Sequence, residues 1–211
     1  MFSFFKKNKK PQIPTEVMVW MTWEAKYQGL VSDINNYLSS GTPLGLVAFF
    51  SRTLFELEEI LKSQKVSFHR LDRVSERAST EKIPLVQANL LDEFVNQSRN
   101  PFGDRSPAVF LIAEQYPIYS PEARLLENLA MLTPQAKAYI YTDLESPLMK
   151  AFGVEQLVSL MERLGMKPND CIKHAFVNKS ISNAQKKLEA KVESEINTDS
   201  MQAWFSKNIR S

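Results

Sequence analysis

Short apolar runs alternate with segments of helical periodicity from residue 17 to residue 144, and no other feature restricts the fold as tightly. A run of about four to eight apolar residues bounded by turn residues suits a strand buried on both faces. Such strands, separated by helices, form βαβ units and build a mostly parallel sheet covered on both sides. The runs lie at 17–22, 44–50, 66–71, 84–88, 108–113 and 138–144. Helices are expected at 24–38, where Leu30, Ile34, Tyr37 and Leu38 share a face ahead of Gly41, at 53–62 with Leu54, Leu57, Ile60 and Leu61, and at 90–95. Ser120, Pro121 and Glu122 read as a helix start: a hydroxyl cap, a proline in the first turn and an acid favoured by the dipole. That helix buries Leu125, Leu126, Leu129 and Leu132, while 72–82 and 98–107 read as loops. The expected fold is α/β, a doubly wound and mostly parallel sheet of about six strands.

Beyond residue 152 the pattern becomes helical. Leu157, Leu160, Met161 and Leu164 share one face of a helix over 154–164 that Gly165 and Pro168 stop. A longer helix places Val177, Ile181, Ala184, Leu188, Val192 and Ile196 on one stripe, which must pack on something. The end carries a small amphipathic patch of Met201, Trp204, Phe205 and Ile209. This divides the chain into a tail at 1–15, an α/β domain at 16–152 and a helical extension at 153–211.

Composition removes several functions. Of 211 residues, Lys and Arg number 26 and Asp and Glu 24, a net charge of +2, so the chain is not a nucleic-acid binder by bulk charge. One cysteine, Cys171, excludes an internal disulfide and a multi-cysteine metal site, and two histidines, His69 and His174, leave little for a histidine site. No apolar run approaches the length needed to span a bilayer, and the start does not read as a secretory signal. A cytoplasmic protein is expected. The tail holds Phe2, Phe4 and Phe5 beside Lys6 and Lys7, a combination suited to peripheral contact with an anionic inner membrane, or simply to a flexible tail.

In an open α/β sheet a ligand sits outside the carboxyl ends of the strands. Thr22, Ser51, Asp72, Asn89, Glu114 and Asp143 are expected there, three acids and no glycine. No phosphate-cradling glycine motif occurs anywhere, so no nucleotide or other cofactor is expected, although Arg52 could supply a cation. Asp143 and Glu145 could form a general acid–base pair, but acids at strand ends more often cap helices. His69 and His174 are expected in core or capping roles, since no placed nucleophile accompanies either. Cys171 is expected to be an inert buried thiol, and Trp20 and Trp23 to pack in or beside the core.

Residues 141–191 carry a family likeness. The stretch YTDLESPLMKAFG, then LMERLGM, then the spaced Ile172, His174, Val177, Lys179, Ile181, Ala184-Gln185, Lys187 and Glu189 closely resembles SecA, the ATPase motor of bacterial preprotein translocation. Upstream, Val19–Thr22 (VWMT), Lys26 and the stretch GTPLGLVAFFSRTLFELEEILKSQKVSFHRLD more weakly resemble the opening of that family's second RecA-like motor domain. The resemblance covers about residues 16–192. It implies a RecA-like, P-loop-NTPase-like sheet followed by the start of the family's long scaffold helix. The departures matter as much. Where the family reads ATNMAGRGTDI this chain reads VQANLLDEFV, and where the arginine-rich final motif belongs it offers Arg124 and Lys137 around ENLAML. No nucleotide-contacting residue can be transferred.

The resemblance therefore implies a non-catalytic, SecA-related module that binds protein, linked to the translocation machinery or to a second copy of itself. The apolar stripe of Ile181, Leu188 and Val192 and the patch of Trp204 and Phe205 are the candidate interaction surface, unless they cover one another or pack on their own domain. Two alternatives stand beside this: a subunit completing an ATPase site in trans through Arg52 or Arg124, and a repurposed domain whose Asp72, Glu114 and Asp143 take a small cationic ligand.

Overall fold

The structure is a computed structural model that describes residues 11–103, 106–154, 167, 169–173 and 175–209. The elements run β1 (Thr15–Trp20), α1 (Trp23–Ser39), β2 (Leu44–Ala48), α2 (Ser51–Ser63), β3 (Phe68–Leu71), β4 (Ile83–Gln87), α3 (Ala88–Asn96), β5 (Val109–Ile112), α4 (Tyr119–Leu132), β6 (Lys137–Asp143), α5 (Pro147–Lys150), α6 (Ala175–Glu189) and α7 (Met201–Asn208). The six strands form one sheet in the order β1-β6-β5-β2-β4-β3, and every pairing is parallel. The α/β fold expected from the alternating runs is the one observed.

The strands alternate strictly between two cores, as a period of two requires. Met18, Trp20, Leu46, Leu85 and Leu111 face α1 and α2, where they meet Leu30, Ile34, Leu54 and Leu57. Val17, Val19, Val47, Val86, Phe110 and Ile112 face the other way, toward Leu91, Phe94, Leu125 and Leu129 of α3 and α4. Gly29 is a packing residue in α1: a Cβ there would lie 2.1 Å from Cζ2 of Trp20, so the indole can lie flat on the helix only above a glycine. Gly41 follows the helix with φ of +69°, the left-handed conformation that ends helices.

The start of α4 differs from its expectation. The helix begins at Tyr119 after Ile118, with no side-chain cap, so the Ser120 hydroxyl does not cap it. Glu122 is buried and faces the second core rather than the solvent-side dipole.

The C-terminal third joins the same core. Ile181 and Leu188 of α6 and Trp204 of α7 are buried in the second core, where α6 packs on α4 and α7 on α5. The helix expected to carry the stripe out to Ile196 ends at Glu189. Residues 190–200, with Val192, Ser194, Ile196, Asn197, Thr198 and Asp199, are rich in types that compete with helical hydrogen bonding or lose rotamers in a helix. After Ala190 closes the last helical turn on the Lys186 carbonyl at 3.1 Å, they form an extended strap that crosses the carboxyl edge of the sheet, and the Asp199 carbonyl accepts from the Arg52 N–H at 3.0 Å. Ile172 lies antiparallel to Val19 at the free edge of β1, with both backbone bonds formed at 3.1 and 2.8 Å. The helix expected over 154–164, the residues Gly165, Pro168 and His174, and the tail with Phe2, Phe4, Phe5, Lys6 and Lys7 lie outside the described residues.

Candidate functional site

The carboxyl ends of β1, β6, β5 and β2 surround a cleft of about 500 Å³. Its base is an ion pair. Lys26 reaches back from the first turn of α1 to Asp143 at the end of β6, 2.9 Å away, and both side chains are almost wholly buried. The Lys26 ammonium also lies 4.8 Å above the Tyr27 ring. Thr22 accepts from the Ala25 N–H at 3.1 Å and so sets the start of the helix that carries Lys26.

Glu114, one residue past β5, is buried and acts as an internal anion for the start of α2. It accepts from the N–H groups of Phe49 and Phe50 at 3.0 and 2.9 Å and from the Thr53 hydroxyl at 2.7 Å. Burial pushes its carboxyl up to about 7 against the opposing pull of those donors and of the Lys26 charge. A helix N-terminus is a ready anion site. Here Glu114 and the Asp199 carbonyl take its donors from inside the molecule.

The rim is aromatic and acidic. Tyr27 donates to Glu56 at 2.9 Å, which with burial holds the phenol well above its ordinary range, and Arg52 pairs with the other Glu56 oxygen at 3.4 Å. Glu145 accepts from the Trp23 N–H at 2.9 Å. Gln115 lines the cleft, is buried, and its Oε1 has no hydrogen-bond partner.

A second crevice of about 390 Å³ opens on the β2/β4 side, between α3, α4 and the strap. Phe49, Phe50 and Tyr116 stack there, and Trp204 meets Tyr116 edge-on at 6.3 Å. Glu195 of the strap accepts from the Tyr116 hydroxyl and, at 2.7 Å, from the Trp204 indole N–H. Below it, Gln185 of α6 donates to Glu122 at 2.9 Å and to the Tyr116 carbonyl at 2.8 Å. Burial pushes the Glu122 carboxyl up to about 7.

The sequence-derived candidates separate clearly on this frame. Glu114 and Asp143 meet in the first cleft. Asp72 does not join them: it follows β3 at the far edge of the sheet and pairs with Arg70 at 2.6 Å. Asp143 and Glu145 are committed to Lys26 and to the α1 start, the capping and structural roles weighed for them. Arg124 points to solvent with its nearest acid, Asp92, at 4.0 Å. His69 accepts from the Ser79 N–H at 3.2 Å, a structural role. Cys171 is half-buried, and burial pushes its thiol up to about 11, far from a reactive thiolate. Trp20 packs in the core, but Trp23 is 45 % exposed, because it precedes the first buried turn of α1.

The candidate interaction surface is corrected. Ile181, Leu188 and Trp204 are buried and Val192 and Phe205 pack against the same core, so the stripe and the patch cover the protein's own body. Lys26 and Gln185, both central here, were not singled out as site residues from the sequence. The signal was their spacing: Lys26 stands four residues before Leu30, and Gln185 three before Leu188 and four after Ile181, each polar on an apolar stripe. Among the described residues no cluster of three histidine, cysteine or acidic side chains could hold a metal ion.

No family model matches the chain. Among curated proteins it is similar to the protein translocase subunit SecA of Chlorobaculum tepidum, 22 % identical over 182 residues that cover 82 % of this chain and 18 % of that protein. It is 49 % identical to SecA of Acidithiobacillus ferrooxidans over 51 residues, 24 % of this chain and 6 % of that one, and 47 % identical over 51 residues to SecA of Methylococcus capsulatus. A crystal structure of the C-terminal part of the Fun30 ATPase domain superposes with a TM-score of 0.46 at 14 % identity, covering 78 % of this chain and 54 % of that one. The chain thus spans less than a fifth of the length of these SecA relatives; it is similar to the Chlorobaculum tepidum protein over 82 % of its own length and to the other two over 24 %.

Proposed function

We propose that this chain is a SecA-related protein-binding module that turns over no ATP and works beside the preprotein translocation machinery, in the cytoplasm or at the inner-membrane surface. One observation carries the non-catalytic part. The edge where a sheet of this kind takes its ligand is occupied from within, by Glu114 and the Asp199 carbonyl on the α2 start and by the strap with Glu195 and Trp204 across the second crevice. A phosphate approaching α2 would meet a carboxylate, and on the resemblance to SecA the glycine and arginine motifs that would answer it have no counterpart at 86–95 or around Arg124. Similarity to SecA supports the link to translocation. Among the described residues no helix is long and apolar enough to cross a membrane, so contact with a membrane would be peripheral.

The test is a titration of the purified protein with a fluorescent ATP analogue and Mg²⁺, run beside sedimentation with purified SecA and with vesicles holding the translocation channel. The reading expects no nucleotide binding and co-sedimentation with one of the two. Saturable nucleotide binding by the isolated chain, or failure to bind either partner, overturns it.

A further inference from the structure

We propose that residues 195–208, the end of the strap with α7, are a lid on the aromatic crevice that opens as one piece and governs access to Phe49, Phe50 and Tyr116. The bonds of the segment carry the inference, because they tie it to itself more than to the body. The Trp204 indole N–H donates to Glu195 at 2.7 Å. Asn208, at the end of α7, closes on Ile196 twice: it accepts from the N–H at 2.6 Å and donates to the carbonyl at 3.0 Å. It also donates to the Trp204 carbonyl at 3.0 Å. Ser200 caps α7 by accepting from the Ala203 N–H at 3.4 Å, and the Thr198 hydroxyl donates to the Ser200 carbonyl at 3.0 Å. Among the described residues two hydrogen bonds hold this unit to the body, Arg52 N–H to the Asp199 carbonyl at 3.0 Å and the Tyr116 hydroxyl to Glu195. Swinging the segment out breaks those two and none of the internal ones, and the groups released can all bond to water.

The apolar hold and the link are both narrow. Met201 and Trp204 are buried, but the other side chains of α7 are half-buried or exposed. The helix packs on α5, a single turn of four residues. After the Val192 N–H closes on the Glu189 carbonyl at 3.1 Å, Glu193 and Ser194 are exposed, and among the described residues no hydrogen bond fixes either. A pair of such residues between two bonded units is where a hinge turns, and a segment held by few contacts opens at less cost than global unfolding. What lies beneath gives the opening a use. Phe49, Phe50 and Tyr116 are buried rings stacked at the second crevice, and ring clusters of this kind anchor protein interfaces. The lid shows what they accept, an aromatic ring on a helix and a carboxylate for the Tyr116 hydroxyl. On the protein-binding reading above, on which this use rests, the closed lid is an autoinhibitory contact, and a partner helix of the same chemistry binds the open form.

Native-state hydrogen exchange of the full chain, followed by NMR, reads the lid directly. The amides of Arg52, Ile196 and Trp204 are expected to exchange through one common opening, faster than those of β2 and β5, which wait for global unfolding. Tyr116→Phe removes one of the two bonds to the body and keeps the ring and every internal bond. It is expected to speed exchange at the three amides together, about 5- to 10-fold, and to leave β2 and β5 unchanged. Asn208→Ala cuts the lid's own tie and is expected to separate the Ile196 rate from that of Trp204. Exchange of Trp204 only at the rate of the sheet amides, or a Tyr116→Phe effect spread over the sheet, overturns the lid. Sedimentation with purified SecA reads the autoinhibition. Tyr116→Phe is expected to bind tighter than the parent chain by the same 5- to 10-fold factor, since affinity scales with the open fraction. Equal binding of the two overturns the autoinhibitory role. If the three amides open together and neither form binds SecA or the channel-bearing vesicles, the lid stands and the protein-binding reading falls.

Discussion

The carboxyl edge of the sheet is closed in two different ways on its two sides. Over β1 and β6 the closing groups are charged, Lys26 with Asp143 and Arg52 with Glu56, and they line a cleft without filling it. Over β2 and β4 the closing groups are rings, Phe49, Phe50, Tyr116 and Trp204, held down by a strap through Glu195. Polar closure needs directed partners and so leaves space between them. Aromatic closure is bound by area and takes whatever apolar chain is at hand, here the protein's own C-terminal segment. Space remains on both sides, about 500 Å³ above the ion pairs and about 390 Å³ beside the rings, so the two differ in what lines them.

The largest test of that contrast is Trp204→Ala. Removing a wholly buried indole is expected to cost about 3–5 kcal/mol and to strip Glu195 of one of its donors. Urea unfolding measures the loss, and limited proteolysis should cut within 190–200 faster; an effect below about 1 kcal/mol would show that the strap seals nothing. Lys26→Ala leaves Asp143 charged and buried, with an expected loss of about 3–5 kcal/mol. The double change Lys26→Met with Asp143→Leu should recover most of it, because apolar residues of similar volume often replace a buried pair at little cost. No such rescue is available to Trp204.

The pH profile sharpens the contrast. Glu114 and Glu122 titrate near 7 in the folded protein, against about 4.3 for an ordinary glutamate. Between these values the folded state holds the extra protons. Their contribution is therefore complete below about pH 4.3 and is lost as the pH rises through about 7. Unfolding free energy should fall over that window by up to ~1.4 kcal/mol per pH unit for each group. Glu122→Gln should remove its share of the slope, and thermal melts at pH 5, 6, 7 and 8 read it directly. The smallest effect belongs to Arg124→Ala, whose exposed side chain sits 4.0 Å from Asp92; about 0.5 kcal/mol or less is expected from the same melts.

Much of this fold was legible because strands buried on both faces write themselves as unbroken apolar runs. All six expected runs overlap a strand, and the shifts are of a residue or two, as at β1, expected over 17–22 and found at Thr15–Trp20. Local rules failed where tertiary packing decided. Ser120 looks like a cap, yet Glu122 beside it is drawn inward by Gln185, and the helix starts two residues early. The stripe on α6 was visible, but what covers it was not, since α4 is distant in the sequence and only the fold brings the two together. The site was half legible. Strand-end counting found Glu114 and Asp143, but strand order, which no local pattern gives, moved Asp72 to the opposite edge. Lys26 was readable as a lysine on an apolar stripe, and such a residue asks for a buried acid.

The pairing of β1 has a consequence for how the chain is made. Among the strands, β1 joins the sheet only through β6, with Thr15 opposite Ala138 and Trp20 opposite Asp143. β1 therefore leaves the ribosome well before the strand it pairs with. At about 5–20 residues per second the apolar segment around Val17–Trp20 stays without its neighbour for on the order of ten seconds. Closure of the sheet is a late event with a long loop to bring together. The segment that carries Trp204 follows β6 in the chain and can cover the carboxyl edge only after that closure, so a nascent chain shows its aromatic crevice before it can cover it.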